Sequence, residues 1–232
     1  FRGDELSTWD CFFKDVWYLL ALRLPTSGKS ALSKSWSDST SVNKDARLDQ
    51  LNWAGLGGPR TYGEARPGSI ATLLHMLRLN SNDVFYDLGS GLGKVVLQAH
   101  MQTPVRRAVG IELETSRHEV AGHALAQIRN LGVIDATREV KFVLGDITNA
   151  SLWSDATLVF MLCTCFPEEV LSAVASAVVA LPLGTRLVAA SFQMNFPTTS
   201  HYHELELKKR IVLPTTFSDG EPFFIYEVVS MA

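Results

Sequence analysis

The sequence predicts an α/β fold: a mainly parallel, seven-stranded sheet with an antiparallel last strand and helices on both faces. Three observations predict it. From residue 69 onward, short apolar runs alternate with segments of helical period, the pattern of strand–helix–strand units. A turn with glycines at positions 89, 91 and 93 joins the first such strand to its helix. The last two strand-like runs have no helical pattern between them, so they pair as an antiparallel hairpin at an edge.

The elements follow in order. Residues 10–24 (DCFFKDVWYLLALRL) carry apolar residues at roughly helical spacing and read as an amphipathic helix. Residues 25–47 hold seven serines, two threonines, Pro25 and the cations Lys29, Lys34, Lys44 and Arg47, the composition of a loop. Its positive charge reads either as a solvated loop or as a surface for an acidic partner. Residues 1–60 are therefore taken as a small helical extension with a serine-rich basic loop, and 61–232 as the main domain. SIATLLHMLRL is helical, with apolar residues at 70, 73, 74 and 77. DVFYDLG is a strand, KVVLQAHMQ a helix, RAVGIEL a strand, and SRHEVAGHALAQIRNLGV a helix with glycine near its end. EVKFVLGD and ATLVFMLC are strands, and PEEVLSAVASAVVAL is a helix opened by Pro167. TRLVAAS, ELELKKRIVLP and PFFIYEVV complete the strands.

Composition narrows the function classes. The 232 residues are 47% hydrophobic and 19% charged, as in ordinary globular domains. A net charge of −3 argues against holding nucleic acid by bulk charge. Three cysteines, Cys11, Cys163 and Cys165, cannot all pair, which fits a reducing compartment. No apolar run reaches 18 residues, so no membrane span is expected. The histidines show no metal spacing. His201-x-His203 lacks an acidic or cysteine partner, and no metal is expected.

The glycine turn carries the chemistry. A strand runs into it and a helix leaves it, as a nucleotide loop requires. The spacing is not G-x-G-x-x-G, and Asp87 stands two positions before Gly89. A carboxylate there repels a pyrophosphate but suits a cofactor with a cationic end, which points to S-adenosylmethionine. Glu112 closes the next strand 19 residues after Gly93, where an acidic residue meets ribose hydroxyls. Asp146 ends the strand after that, placed to accept an adenine amino group, with Ile147 beside it to pack on the ring and Leu113 following Glu112. Together these indicate a class I S-adenosylmethionine-dependent methyltransferase core, Rossmann-like. A plain glycine turn and a nicotinamide dehydrogenase are the competing readings.

Beyond these spacings, TYGE (61–64), DVFYDLGSGLGKVVLQ, GIE, GD and the strand leading to FPEEV resemble the disruptor-of-telomeric-silencing family, the non-SET histone lysine methyltransferases. The resemblance runs from about residue 61 to 229. It implies methyl transfer from S-adenosylmethionine, leaving S-adenosylhomocysteine, to a lysine of a histone or nucleosome. It also implies a nuclear location, contact with nucleic acid only through the nucleosome, and no membrane. Carried over residue by residue, it puts cofactor contacts on Tyr62, Gly63, Glu64, Asp87, Gly89, Gly91, Gly93, Lys94, Glu112, Asp146 and Ile147. Glutamine is more usual at position 94 and phenylalanine at position 147.

The chain departs from the family elsewhere. An Asn-Asn-Phe-Ala-Phe run is replaced by Leu162-Cys163-Thr164-Cys165-Phe166, in which only Phe166 survives. Aligning on Gly220-x-Pro222 puts Ser218 and Ile225 at channel-wall positions that are aromatic in the family, with Phe217, Phe224 and Tyr226 adjacent.

Methyl transfer to lysine needs a neutral amine, which a narrow aromatic channel supplies by desolvation. Tyr62, Phe166, Phe192, Phe196, Phe224 and Tyr226 are the candidate walls, each with a competing role in the core, and Glu64 is a candidate orienting group. Cys163 and Cys165 leave a rival open, a nucleophilic cysteine acting on RNA cytosine. A cofactor-binding scaffold without activity is a third reading.

Overall fold

The computed structural model describes residues 63–191, 193 and 203–231. The helix expected over 10–24, the serine-rich stretch, Tyr62, Phe192, Phe196 and His201 lie outside the described residues. Helix α1 (Pro67–Leu77) comes first, then β1 (Val84–Leu88), α2 (Lys94–Gln102), β2 (Arg107–Glu112), α3 (Thr115–Asn130) and β3 (Glu139–Leu144). Strand β4 (Leu158–Leu162), α4 (Glu168–Val179), β5 (Arg186–Ala190), β6 (His203–Leu213) and β7 (Glu221–Ser230) follow. Short 3₁₀ turns cover Ala150–Leu152 and Cys163–Cys165.

The seven strands form one sheet in the order β3-β2-β1-β4-β5-β7-β6. The first five are parallel, and β7 runs antiparallel to both β5 and β6, as the hairpin reading expects. Strand order reverses between β1 and β4, and open α/β sheets bind ligands at the carboxyl ends of strands flanking such a switch point.

The inner strands are buried on both faces and are therefore almost continuously apolar. One face packs Phe85, Ala108, Val140 and Phe160 against α1, α2 and α3, and the other packs Tyr86, Val109, Val159 and Leu187 against α4. Edge strand β6 carries Glu204, Glu206, Lys208, Lys209 and Arg210 and breaks register at Leu207/Lys209. Charges and a bulge discourage pairing with a further strand. No helix among the described residues is long and apolar enough to cross a membrane.

A polar knot closes the opposite, amino end of the sheet. The Asp83 carboxylate is buried and accepts from Thr157 Oγ1 (2.8 Å), Arg186 Nη2 (2.9 Å) and the backbone and side-chain nitrogens of Asn80. Arg186 also donates to the Leu77 carbonyl at 2.6 Å, tying the end of α1 to β5. Arg186→Ala leaves the Asp83 charge buried without its cation, so we expect a loss of about 3 kcal/mol. Thermal denaturation should read this as a fall of roughly 6–12 °C. Ligand binding at the other end of the strands should be unaffected by this variant.

Candidate active site

The glycine turn is shaped by strand β2. The N–H groups of Gly89 and Ser90 both donate to the Ile111 carbonyl, at 2.9 and 3.0 Å, and Gly93 N–H donates to the Ser90 carbonyl. All three glycines hold positive φ, 83°, 53° and 82°. Only glycine adopts this repeatedly without strain. Glu112 locks the turn. Its Oε2 accepts from Gly91 N–H at 2.8 Å, and its Oε1 accepts from Glu114 N–H at 2.9 Å. Each carboxylate oxygen has capacity for a further donor, such as a hydroxyl. Holding the turn is a role that spacing alone did not reveal.

The glycines divide their work. A Cβ on Gly93 would lie 2.3 Å from Phe142 Cζ and 3.0 Å from Ala121 Cβ, so Gly93 lets α2 seat against β3 and α3. A Cβ on Gly89 would meet Phe166 Cζ at 2.6 Å, so Phe166 from the end of β4 covers the turn. Gly110 is missing from the expectations above, although a glycine inside a strand signals close approach. A Cβ there would meet Ser90 Oγ at 2.6 Å and Phe142 Cδ1 at 2.7 Å, so Gly110 makes room for the turn.

Asp87 is the penultimate residue of β1, before this turn, and is 3% exposed. Burial, with the Glu112 charge adding to it, pushes its carboxyl up to about 8. Neither a cation nor a hydrogen bond from a described residue offsets this. A buried acid left this way is complementary to a positively charged ligand.

The segment after the described start is pinned on two sides. Glu64 N–H donates to Thr216 Oγ1 at 3.0 Å, Thr216 N–H donates back to the Glu64 carbonyl at 2.9 Å, and Ala65 bridges Thr215. Arg66 Nε donates to the Thr215 carbonyl and Ser69 Oγ to the Pro214 carbonyl. The Phe217 ring fills the space a Cβ on Gly63 would need, at 2.5 Å. On the other side, Lys94 Nζ pairs with Glu64 Oε2 at 2.6 Å. Thus Gly63, Glu64 and Lys94 come together beside the turn, joined by the β6–β7 hairpin loop, a contact no local sequence signal announced.

Several expected residues are placed elsewhere. Cys163 is buried in the α4-side core, its Sγ 3.7 Å from the Met161 carbonyl, and burial pushes its thiol well above the usual range. It is a packing residue, not a thiolate nucleophile. We expect Cys163→Ala to keep any activity of the chain within about threefold of the native rate, because a thiol held protonated supplies no nucleophile. A loss beyond a hundredfold with the fold intact by circular dichroism would restore the thiol reading.

Phe224 and Tyr226 lie in the same core, 5% and 3% exposed, paired with Ala189 and Leu187 in mid-sheet. Both pack among the α4-side core residues. Ile225 packs in the opposite core, and Ser218 sits in the hairpin turn, accepting from Gly220 N–H. Ile147 is also buried, and its carbonyl accepts from Trp153 Nε1 at 2.9 Å. Exposed Leu113, by contrast, follows Glu112 at the edge. Asp146 is exposed, and its Oδ1 accepts from Thr148 N–H. Among the described residues no group of three metal-binding side chains converges.

The site fits a cofactor with a positive centre and a diol: Asp87 and Glu112 supply the acidic floor, and Leu113 an apolar edge. Comparison with known proteins agrees with this geometry. The model of a family described as "Histone methylation protein DOT1" matches residues 40–206. The chain belongs to the DOT1 family. The match starts inside the serine-rich stretch and ends within β6.

Among the relatives of this DOT1-family chain, a protein named "Protein-lysine N-methyltransferase" from Saccharolobus islandicus is 30% identical over 125 residues, covering 54% of this chain and 72% of its own. Two proteins named "Histone-lysine N-methyltransferase, H3 lysine-79 specific" also match. That of Dictyostelium discoideum is 28% identical over 114 residues, covering 47% of this chain and 6% of its own length. That of Kluyveromyces lactis is 32% identical over 90 residues, covering 35% and 16%. The chain thus spans a small part of these two long relatives.

Among solved structures, an RNA methyltransferase from Salinibacter ruber in complex with S-adenosylhomocysteine superposes with TM-score 0.51 at 24% identity, covering 68% of this chain and 89% of its own. TrmN from Thermus thermophilus gives 0.52 at 15% identity, covering 70% and 49%. Both likenesses are in fold, and the fold of the DOT1-family chain is that of class I methyltransferases.

Proposed function

We propose that this chain is a non-SET protein-lysine methyltransferase, moving a methyl group from S-adenosylmethionine to a histone lysine on the nucleosome core. We assign the activity to residues 61–232. The observation that carries the reading is Asp87: a buried carboxyl that no cation among the described residues compensates, at the switch point, in a DOT1-family chain. The names of the relatives supply the substrate class and, with it, a nuclear location.

The bound cofactor supplies an activated methyl group. The chain's own residues do the rest. Asp87, once ionised, offsets the positive charge of the cofactor. Glu112 offers its remaining acceptor capacity to the ribose hydroxyls while holding Gly91 in place. Leu113 and Asp146 stand at the base side of the same edge. Phe166 covers Gly89, and we assign its apolar ring to the wall beside the acceptor lysine. Desolvation by such a surface favours the neutral amine that attacks. No dedicated base is required, because the nearby positive sulfur disfavours an ammonium in the same way.

The test is incubation of the purified chain with cofactor carrying a labelled methyl group and, separately, nucleosomes, free core histones and RNA. Mass spectrometry then locates the label. Methyl groups on a histone lysine support the reading. Label in RNA alone overturns the substrate class, and cofactor binding without any transfer overturns the enzymatic reading.

A further inference from the structure

We infer that Lys94 sets how strongly the site distinguishes the sulfonium donor from its neutral thioether product, by cancelling the charge of Glu64. The inference rests on the cofactor reading proposed above. Lys94 Nζ and Glu64 Oε2 lie 2.6 Å apart, and the two side chains are only 16% and 15% exposed. Their fields are therefore incompletely screened by solvent ions. Lys94 follows the glycine turn directly. It lies three positions after Gly91, so its Cα is within about 11 Å of that residue's.

Glu64 is held independently of Lys94. Its N–H and its carbonyl both engage Thr216, so the backbone under the carboxylate stays in place when the ion pair is changed. The turn is already bordered by the carboxyl groups of Asp87 and Glu112. Left uncancelled, Glu64 would add a third acidic group.

Donor and product share adenosine, amino and carboxylate groups. They differ by one methyl and one positive charge on sulfur. Contacts to the shared parts cancel in the ratio of the two affinities, whereas charge near sulfur does not. An uncancelled negative charge at the edge of the turn favours the donor, and an uncancelled positive charge favours the product. For a separation from sulfur on the order of 10 Å and an effective dielectric of about 30, one charge would change the ratio about fivefold.

The test is calorimetric titration of the whole chain with S-adenosylmethionine and with S-adenosylhomocysteine, at low and high salt. Lys94→Met should shift the affinity ratio about fivefold toward the donor, and Glu64→Gln should shift it toward the product. The double variant should return close to the native ratio, and high salt should shrink both single-variant shifts. A merely structural ion pair would change both affinities together and leave the ratio alone. Ratios within twofold of native in both single variants, with both ligands still bound, overturn the inference. If one variant fails to fold, the other single variant decides by the same criterion. Failure of the native chain to bind either ligand overturns the cofactor reading instead.

Discussion

Asp87→Asn should raise the melting temperature of the ligand-free protein by roughly 5–10 °C at pH 7 while weakening S-adenosylmethionine binding by about a hundredfold or more. The two effects have one cause. Burial and the Glu112 charge push the Asp87 carboxyl up to about 8. In the unfolded chain it titrates near 3.9. Between those values the folded state keeps a proton that the unfolded state has released, so stability falls as pH rises. The penalty is absent below about pH 4, grows through neutrality and is complete above about pH 8. Asparagine carries no charge and avoids it, a gain of order 2–4 kcal/mol at pH 7.

A cationic ligand reverses the balance, since it binds the ionised form. Binding at pH 7 should therefore release a proton, and the heat of binding should depend on the ionisation enthalpy of the buffer. Affinity should rise by up to about 50-fold from pH 6 to pH 8. A variant with unchanged melting temperature and native affinity would remove Asp87 from the site.

Gly93→Ala should cost about 3 kcal/mol and lower the melting temperature by roughly 6–12 °C. Two penalties add. An alanine at φ 82° is strained by about 1–2 kcal/mol. Its methyl would also stand 2.3 Å from Phe142 Cζ, against a ring wedged between β2, α2 and α3. Pairing Gly93→Ala with Phe142→Leu should recover part of the steric loss and leave the backbone strain.

Gly89→Ala makes the contrast. Its φ is equally positive, but the methyl meets the far end of Phe166, on a loop after β4. The fold should lose less there, while cofactor affinity falls because Phe166 is displaced. Differential scanning calorimetry beside ligand titration separates the two. Equal melting temperatures for both variants would refute the division of labour.

Much of the scaffold was legible because its cause is local. Residues 84–86 and Leu158–Leu162 are apolar without alternation because they are covered on both faces, and the run of residues says so directly. The turn was legible for the same reason: three left-handed residues in five positions require glycine, and Asp87 precedes them by fixed spacing. The packing of the aromatic residues of β7 was not legible. Phe223, Phe224, Ile225 and Tyr226 are consecutive, and composition cannot say which side chain of a strand reaches a channel. Register assigns them. Pairing of Phe224 with Ala189 and Tyr226 with Leu187 puts both under α4. Cys163 was ambiguous in the same way, since a thiol in an apolar run reads as reactive or inert until its burial is known.

The sequence by itself determined the layering of the fold, the turn that admits a ligand and the sign of the charge beneath it. Each of these is written in neighbouring residues, through period, positive φ and fixed spacing. Only the tertiary structure decided that Glu64 answers to both Lys94 and Thr216, 30 and 152 positions away, and that Glu112 reaches back to Gly91. It also decided that no cation among the described residues offsets Asp87. Contacts between distant residues depend on how strands and loops are brought side by side, and burial is a property of the whole surrounding shell, so neither is encoded in any short stretch of chain.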